Sequence, residues 1–299
     1  PESSIYALAQ EDAVQWIEVV PTEKTTNLDQ ARGAIGADIV QAAPYNLDGS
    51  GVTVAMWDGG RVDPTHDDFA GRLVIGDGYA TTHYHATHVC GIMAGDGTLS
   101  GGNMRGVAIN SNIRSYEWPD TISELDTETT NALTNNAILS QNSWSFRVEP
   151  PTYPCSLHGD YDSWSQRYDQ IVNGVLGDEI VLLGSAGNEE NDGDCAPYPW
   201  NQTNPSICTA KNSICVGAIY SDTLDHTCFS SRGPTDDGRL KPDIVAPGDE
   251  ANDHATACLW NRMINSTYPG DTYRDLGGTS MSTPMVSGAV ALLRQQFNK

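Results

Sequence analysis

Three histidines and a cysteine fall within eight positions in "HYHATHVC", residues 83–90. Histidine and cysteine this close together suit a zinc site. They suit equally well a general base at a helix start with structural neighbours, and the stretch alone does not choose. Two further positions bear on the choice. Asp58 closes the apolar run "GVTVAMWD", and Ser280 stands in "LGGTSMSTPMVSGAVALL". A serine at a glycine-rich turn into a helix has an exposed Oγ and backbone N–H donors close by. It needs a base to become nucleophilic, and histidine titrates in the right range. That histidine in turn needs a buried carboxylate to hold its tautomer and stabilise the imidazolium. Asp58, His85 and Ser280 supply the three groups, in one of the chain orders known for this chemistry. Taken singly, the aspartate and the serine have plainer readings as a helix cap or turn residue.

The elements that must position these residues can be read from apolar runs. Segments 51–58, 112–118, 137–144, 179–188, 213–220 and 242–248 are short and rich in apolar or β-branched residues, as strands buried on both faces are. Helical stretches lie at 85–95, about 121–135, 161–176 and 282–297. The alternation predicts an α/β fold: a doubly wound, mainly parallel central sheet flanked by helices. Ligands of such sheets bind outside the carboxyl ends of the strands, and Asp58, Asn142 and Asn188 each fall at such an end.

Bulk properties narrow the class. The chain has 299 residues and a formal net charge of −23, which argues against nucleic acid as a partner. No run approaches the ~20 apolar residues of a membrane helix, so no membrane span is expected. Acidic loops at 63–68, 120–128 and 188–194 read as solvated surface or as calcium-binding loops. Seven cysteines without a CxxC pair disfavour a zinc ribbon and fit an exported protein with disulfides. No export signal stands at Pro1, so any such signal is expected to have been removed.

Five ordered motifs now acquire a joint meaning. "WDGG" (57–60), "HATHVCG" (85–91), "SAGN" (185–188), "FSSRGPTDDGRLKPDIVAPG" (229–248) and "GTSMSTP" (278–284) resemble the signatures of the subtilisin-like serine proteases, or subtilases. The resemblance runs from about residue 28 to the C-terminus. It implies that Ser280 is the nucleophile, His85 the base and then acid, and Asp58 the residue that orients His85. It also implies an oxyanion hole built from the side chain of Asn188 and the N–H of Ser280. Zinc at His85 is thereby disfavoured, because a ligated imidazole cannot take a proton from serine. His88 is expected to be structural, His83 exposed and Cys90 a packing residue. The chain departs from the pattern at Gly59, where the family carries Ser or Thr, and at Ala86, Cys90 and Ser282; none of these deletes a catalytic group.

The resemblance carries further expectations. Polypeptide substrates would bind as an added strand along Ser143, Trp144 and Ser145, with Ser185, Ala186 and Gly187 as the opposite wall of the primary specificity pocket. Glu189 would sit near the pocket mouth and favour a basic or polar side chain. Residues 1–26 would be an N-terminal extension or the retained tail of an inhibitory propeptide, which would act as inhibitor and chaperone, and residues 27–299 the catalytic domain. Structural calcium, a monomer and a secreted, extracellular location are expected, with calcium ligands unassigned. Six cysteines allow 15 connectivities; the expected pairs are Cys155–Cys195, Cys208–Cys215 and Cys228–Cys258, with Cys90 free. The resulting function is a serine endopeptidase of broad specificity acting through an acyl-enzyme. A dedicated processing protease or transpeptidase with the same triad, or a non-catalytic binding protein on the same scaffold, is the alternative. A lipase of the G-x-S-x-G type is disfavoured, since residues 278–282 read GTSMS.

Overall fold

The computed structural model describes residues 27–146, 148, 150–190, 195, 203–250 and 263–298. The expected N-terminal extension or propeptide tail, residues 1–26, lies outside them. Seven parallel strands form one sheet: β1 (Thr53–Asp58), β2 (Leu73–Ile75), β3 (Asn112–Glu117), β4 (Ala137–Asn142), β5 (Val181–Ser185), β6 (Ile214–Tyr220) and β7 (Ile244–Asp249), in the order β2-β3-β1-β4-β5-β6-β7. The helices are α1 (Asn27–Ala34), α2 (Ala37–Gln41), α3 (Tyr84–Ala94), α4 (Ile122–Thr134), α5 (Ser163–Val172) and α6 (Thr279–Phe297). The doubly wound α/β architecture is as expected from the alternation of apolar runs.

Alternation along β1 assigns the two faces of the sheet. Val54 and Met56 join a core with Ile92 and Met93 of α3 and Met281 and Met285 of α6. Ala55 and Trp57 face the other core, with Tyr116, Leu125, Tyr168 and Leu182. Trp57 stacks on Tyr116, ring centroids 4.8 Å apart, and donates its indole N–H to Glu128 Oε2 at 2.9 Å. After β1 the chain moves to one side of the sheet, and after β4 to the other. The switch point therefore lies between the ends of β1 and β4, where a doubly wound sheet opens a crevice.

Five elements were not expected. β2 has three residues, too few to register as an apolar run. Helices α1 and α2 cap the core, with Leu28 and Ala31 fully buried. The antiparallel hairpin of β8 (Ile264–Tyr268) and β9 (Thr272–Leu276) packs on α3. Its hydroxyls bond directly to that helix: Ser266 donates to the carbonyl of His88 at 2.9 Å and Thr267 to that of Thr87 at 2.7 Å. Such close packing needs a small residue on α3. A Cβ on Gly91 would come within 2.2 Å of Thr267 Oγ1.

Two of the expected disulfides are present, Cys155–Cys195 and Cys208–Cys215. Cys228 is also disulfide-bonded; its expected partner, Cys258, lies outside the described residues. Cys90 is a free, fully buried thiol. Burial pushes its pKa up, which makes it a packing residue rather than a reactive one.

Candidate active site

Asp58 is the last residue of β1 and is 1% exposed. Both of its oxygens lie within hydrogen-bond reach of His85 Nδ1, at 2.8 and 2.9 Å. The Gly59 N–H donates to Oδ1 at 2.8 Å. Burial alone would raise the carboxyl pKa. The charge and hydrogen bond of His85 and the Gly59 N–H, with His83 close by, outweigh it, so the group is held below the usual carboxylate range. Burial likewise works against a charged His85, but the Asp58 charge and hydrogen bond override it and raise the imidazole pKa. An ionised carboxylate can only accept, so Nδ1 carries the proton and Nε2 is left as the basic nitrogen.

His83, the N-cap residue of α3, stands 3.7 Å from Asp58 Oδ1 through Nδ1. It is not the freely exposed residue that was expected, because its Nδ1 is buried. It also accounts for the departure at Gly59. A Cβ there would meet His83 Cε1 at 3.0 Å and a Trp118 ring carbon at 3.1 Å. The space above the aspartate loop is already filled by these two rings.

His88 faces elsewhere. It is fully buried, and its Nε2 bonds to the carbonyls of Ile264 at 3.1 Å and Arg274 at 2.9 Å. Two carbonyl partners require a protonated Nε2, so the neutral ring ties α3 to the hairpin. Burial drives its pKa down to about 3. The cluster that opened the sequence reading thus divides: His85 and His83 turn to Asp58, and His88 turns away.

Ser280 is the second residue of α6, so its N–H has no acceptor within the helix. Its Oγ donates to the carbonyl of Ser143 at 3.1 Å, and no hydrogen bond joins it to His85. Asn188 sits beside it. Its Oδ1 accepts from Thr279 N–H at 2.8 Å and Thr279 Oγ at 3.0 Å. With Oδ1 fixed, Nδ2 is turned the other way, and it donates to none of the described residues. Gly278 makes this approach possible: its φ is +142°, and a Cβ would lie 3.4 Å from the Asn188 amide.

The two expected walls flank Ser280. Ser143 follows β4 and is bonded to Ser280 as above, whereas Gly187 N–H donates to Thr279 Oγ at 3.3 Å. Ser185 and Ala186 are buried behind that wall, and Trp144 is 9% exposed. The Trp144 indole N–H is buried with no acceptor among the described residues. Glu189 curls back over Gly187 rather than projecting outward. Its Oε2 accepts from Ser231 Oγ at 2.9 Å and its Oε1 from Asn204 Nδ2 at 3.2 Å. Asn204 escaped sequence reading, because "TNPS" carries only a turn signal.

Several carboxylates of the described acidic loops already have protein partners. Asp63 accepts from Thr65 and from the Gly270 N–H, and Asp68 from the Leu99 N–H and the Tyr273 hydroxyl. Asp126 pairs with Arg167, and Glu128 holds Trp57. Among the described residues no group of three or more His, Cys, Asp or Glu is arranged to hold a metal ion. Residues 191–194 of the third loop lie outside the described set.

The sequence matches the family model of the Subtilase family, peptidase S8, over residues 49–299. It is 32% identical to serine protease AprX of Bacillus subtilis over 90% of this chain and 62% of that protein. The chain therefore spans less than two thirds of that relative's length. It is 30% identical to subtilisin DY of Bacillus licheniformis over 88% of this chain and 83% of that protein. In fold it resembles the CspB protease of Clostridium perfringens, with a TM-score of 0.68 at 16% identity, covering 89% of this chain and 88% of that one. No helix among the described residues is long and apolar enough to cross a membrane. The chain belongs to the subtilase family of serine peptidases.

Proposed function

We propose that the protein is a serine endopeptidase in which Ser280 attacks the peptide carbonyl, His85 moves the proton and Asp58 orients His85. The observation that carries this reading is the buried Asp58–His85 pair, bonded at 2.8 Å and aimed from the end of β1 at the start of α3. Asp58 fixes the proton on Nδ1, which leaves Nε2 free to take the Ser280 proton and return it to the leaving amine. The serine hydroxyl must first turn from the Ser143 carbonyl toward Nε2. The tetrahedral oxyanion would then be met by Asn188 Nδ2 and the Ser280 N–H, with the positive end of α6 behind them.

An extended peptide would lie along Ser143–Ser145, and the side chain before the scissile bond would enter between Ser145 and Gly187. Three cysteine pairings, two of them fully described, favour an oxidising, extracellular setting. Residues 27–299 would make up the catalytic domain, working as a monomer, with residues 1–26 an extension or propeptide tail that would inhibit the enzyme and assist its folding. No step relies on calcium. Digestion of casein tests the breadth of the activity. Many cleavage sites, all lost in Ser280→Ala, are expected; a single cut or a joined product would favour a processing or transpeptidase role.

A further inference from the structure

Asn204 is joined to both walls of the cleft that flanks Ser280. Its backbone N–H donates to the Ala186 carbonyl at 3.0 Å. Its side-chain Nδ2 donates to Ser145 Oγ at 2.7 Å and to Glu189 Oε1 at 3.2 Å. The amide also lies directly under Gly187, where an added Cβ would meet Asn204 Nδ2 at 2.8 Å. The amide orientation is dictated by Glu189: a carboxylate only accepts, so the atom facing it is the NH₂ group. Oδ1 is therefore left over. It is buried in a residue 3% exposed, and it has no donor among the described residues.

A buried amide oxygen without a donor is costly. A side chain entering between Ser145 and Gly187 would pass against the Asn204 amide, which lies 2.8 Å from where a Gly187 Cβ would stand. Gly187, at φ +109°, has no side chain to screen it. Apolar side chains would leave the oxygen unpaired, while one ending in N–H groups would satisfy it. The same logic lets a polar site reject isosteres that lack the polar group by large factors.

We propose that Asn204 is a specificity residue of the primary pocket, reading an N–H donor at the end of the substrate side chain before the scissile bond: glutamine, lysine or arginine. This rests on the peptidase reading above. Ser145, Asn204, Glu189 and Ser231 form one chain of hydrogen bonds, so the pocket floor is a fixed polar surface.

The test is a set of fluorogenic peptides identical except at that residue, which is Gln, Lys, Arg, Met, Leu or Phe. Wild type is expected to cleave the Gln, Lys and Arg peptides with kcat/KM roughly tenfold or more above Met, a side chain of similar length. Asn204→Leu removes the acceptor at similar volume and is expected to bring the Gln-to-Met ratio near one. Asn204→Asp keeps acceptor oxygens, and is expected to favour Lys and Arg over Gln. It serves as the second variant if leucine is not accommodated, with thermal unfolding by circular dichroism reporting the folding of each. A wild-type preference for Met, Leu or Phe over Gln overturns the inference, as does a Gln-to-Met ratio unchanged in folded Asn204→Leu. If wild type cleaves no peptide and does not react with a fluorophosphonate, the peptidase reading itself fails and the inference falls with it.

Discussion

Ser143 and Ser280 are tied to each other in both directions. The Ser143 hydroxyl donates to the Ser280 carbonyl at 2.8 Å, and the Ser280 hydroxyl donates to the Ser143 carbonyl at 3.1 Å. The first bond has a cause in the sequence. Pro284 lies four residues after Ser280 inside α6 and has no N–H for that carbonyl. The Ser143 hydroxyl supplies the missing donor and pins the end of β4 to the start of α6. The second bond holds the hydroxyl of the proposed nucleophile on a backbone carbonyl.

Removing the first bond should loosen that joint. Ser143→Ala leaves the Ser280 carbonyl without its donor and is expected to cost about 1 kcal/mol of stability. Chemical denaturation would measure it. Ser143→Thr, which keeps the hydroxyl, is expected to restore most of the loss.

On the proposed mechanism, the raised pKa of His85 is expected to set the acid limb of activity. The base must be neutral, so kcat/KM should fall as pH drops through a value above the ordinary 6.5 of histidine. Asp58→Asn removes the charge that raises it. The variant is expected to lose roughly 10⁴ in kcat and to show its residual acid limb at lower pH. A pH profile of both proteins checks the pair.

His88 and Glu128 should make stability depend on pH in opposite senses. The unfolded chain protonates His88 near 6.5, but the folded ring resists until about 3. Stability is therefore lost as pH falls below 6.5, by about 2 kcal/mol at pH 5. Glu128 is nine-tenths buried, and burial holds its carboxyl protonated up to about 8. Its contribution is present below the unfolded value of 4.5 and is lost as pH rises toward 8. Thermal melts are expected to show that His88→Gln flattens the acid side. Glu128→Gln, which keeps an acceptor for Trp57, should raise Tm at pH 8 and change little at pH 4.

Asn188, as the proposed oxyanion donor, is expected to act on the transition state alone. Its Oδ1 is occupied by Thr279, so only Nδ2 is available to a developing oxyanion. Asn188→Ala is expected to lower kcat by roughly 10²–10³, the range measured for the corresponding asparagine of subtilisin, with KM nearly unchanged. Steady-state kinetics on one peptide would separate the two effects.

The parallel sheet was legible because its strands are apolar on both faces, and "TVAMWD" or "ILSQN" followed by a polar strand end marks where a cleft opens. The β8–β9 hairpin was not. "INSTYPGDTYRDL" buries hydroxyls against α3 instead of an apolar face, so no periodicity announces it. Asp58 and His85 could be paired from motif order, because the five motifs together resemble one family even though each residue alone allows plainer readings. His83 and Asn204 could not be assigned in that way. Their roles come from what lies across the cleft, Asp58 in one case and Ser145 with Glu189 in the other. Those contacts join positions far apart in sequence.

Covalent labelling tests the proposed nucleophile, Ser280, most directly. Wild-type protein treated with a fluorophosphonate at pH 8 should gain one adduct, mapped by peptide mass spectrometry to Ser280, and both Ser280→Ala and His85→Ala should fail to label. An adduct on another residue, or labelling of Ser280→Ala at the wild-type rate, would contradict the account.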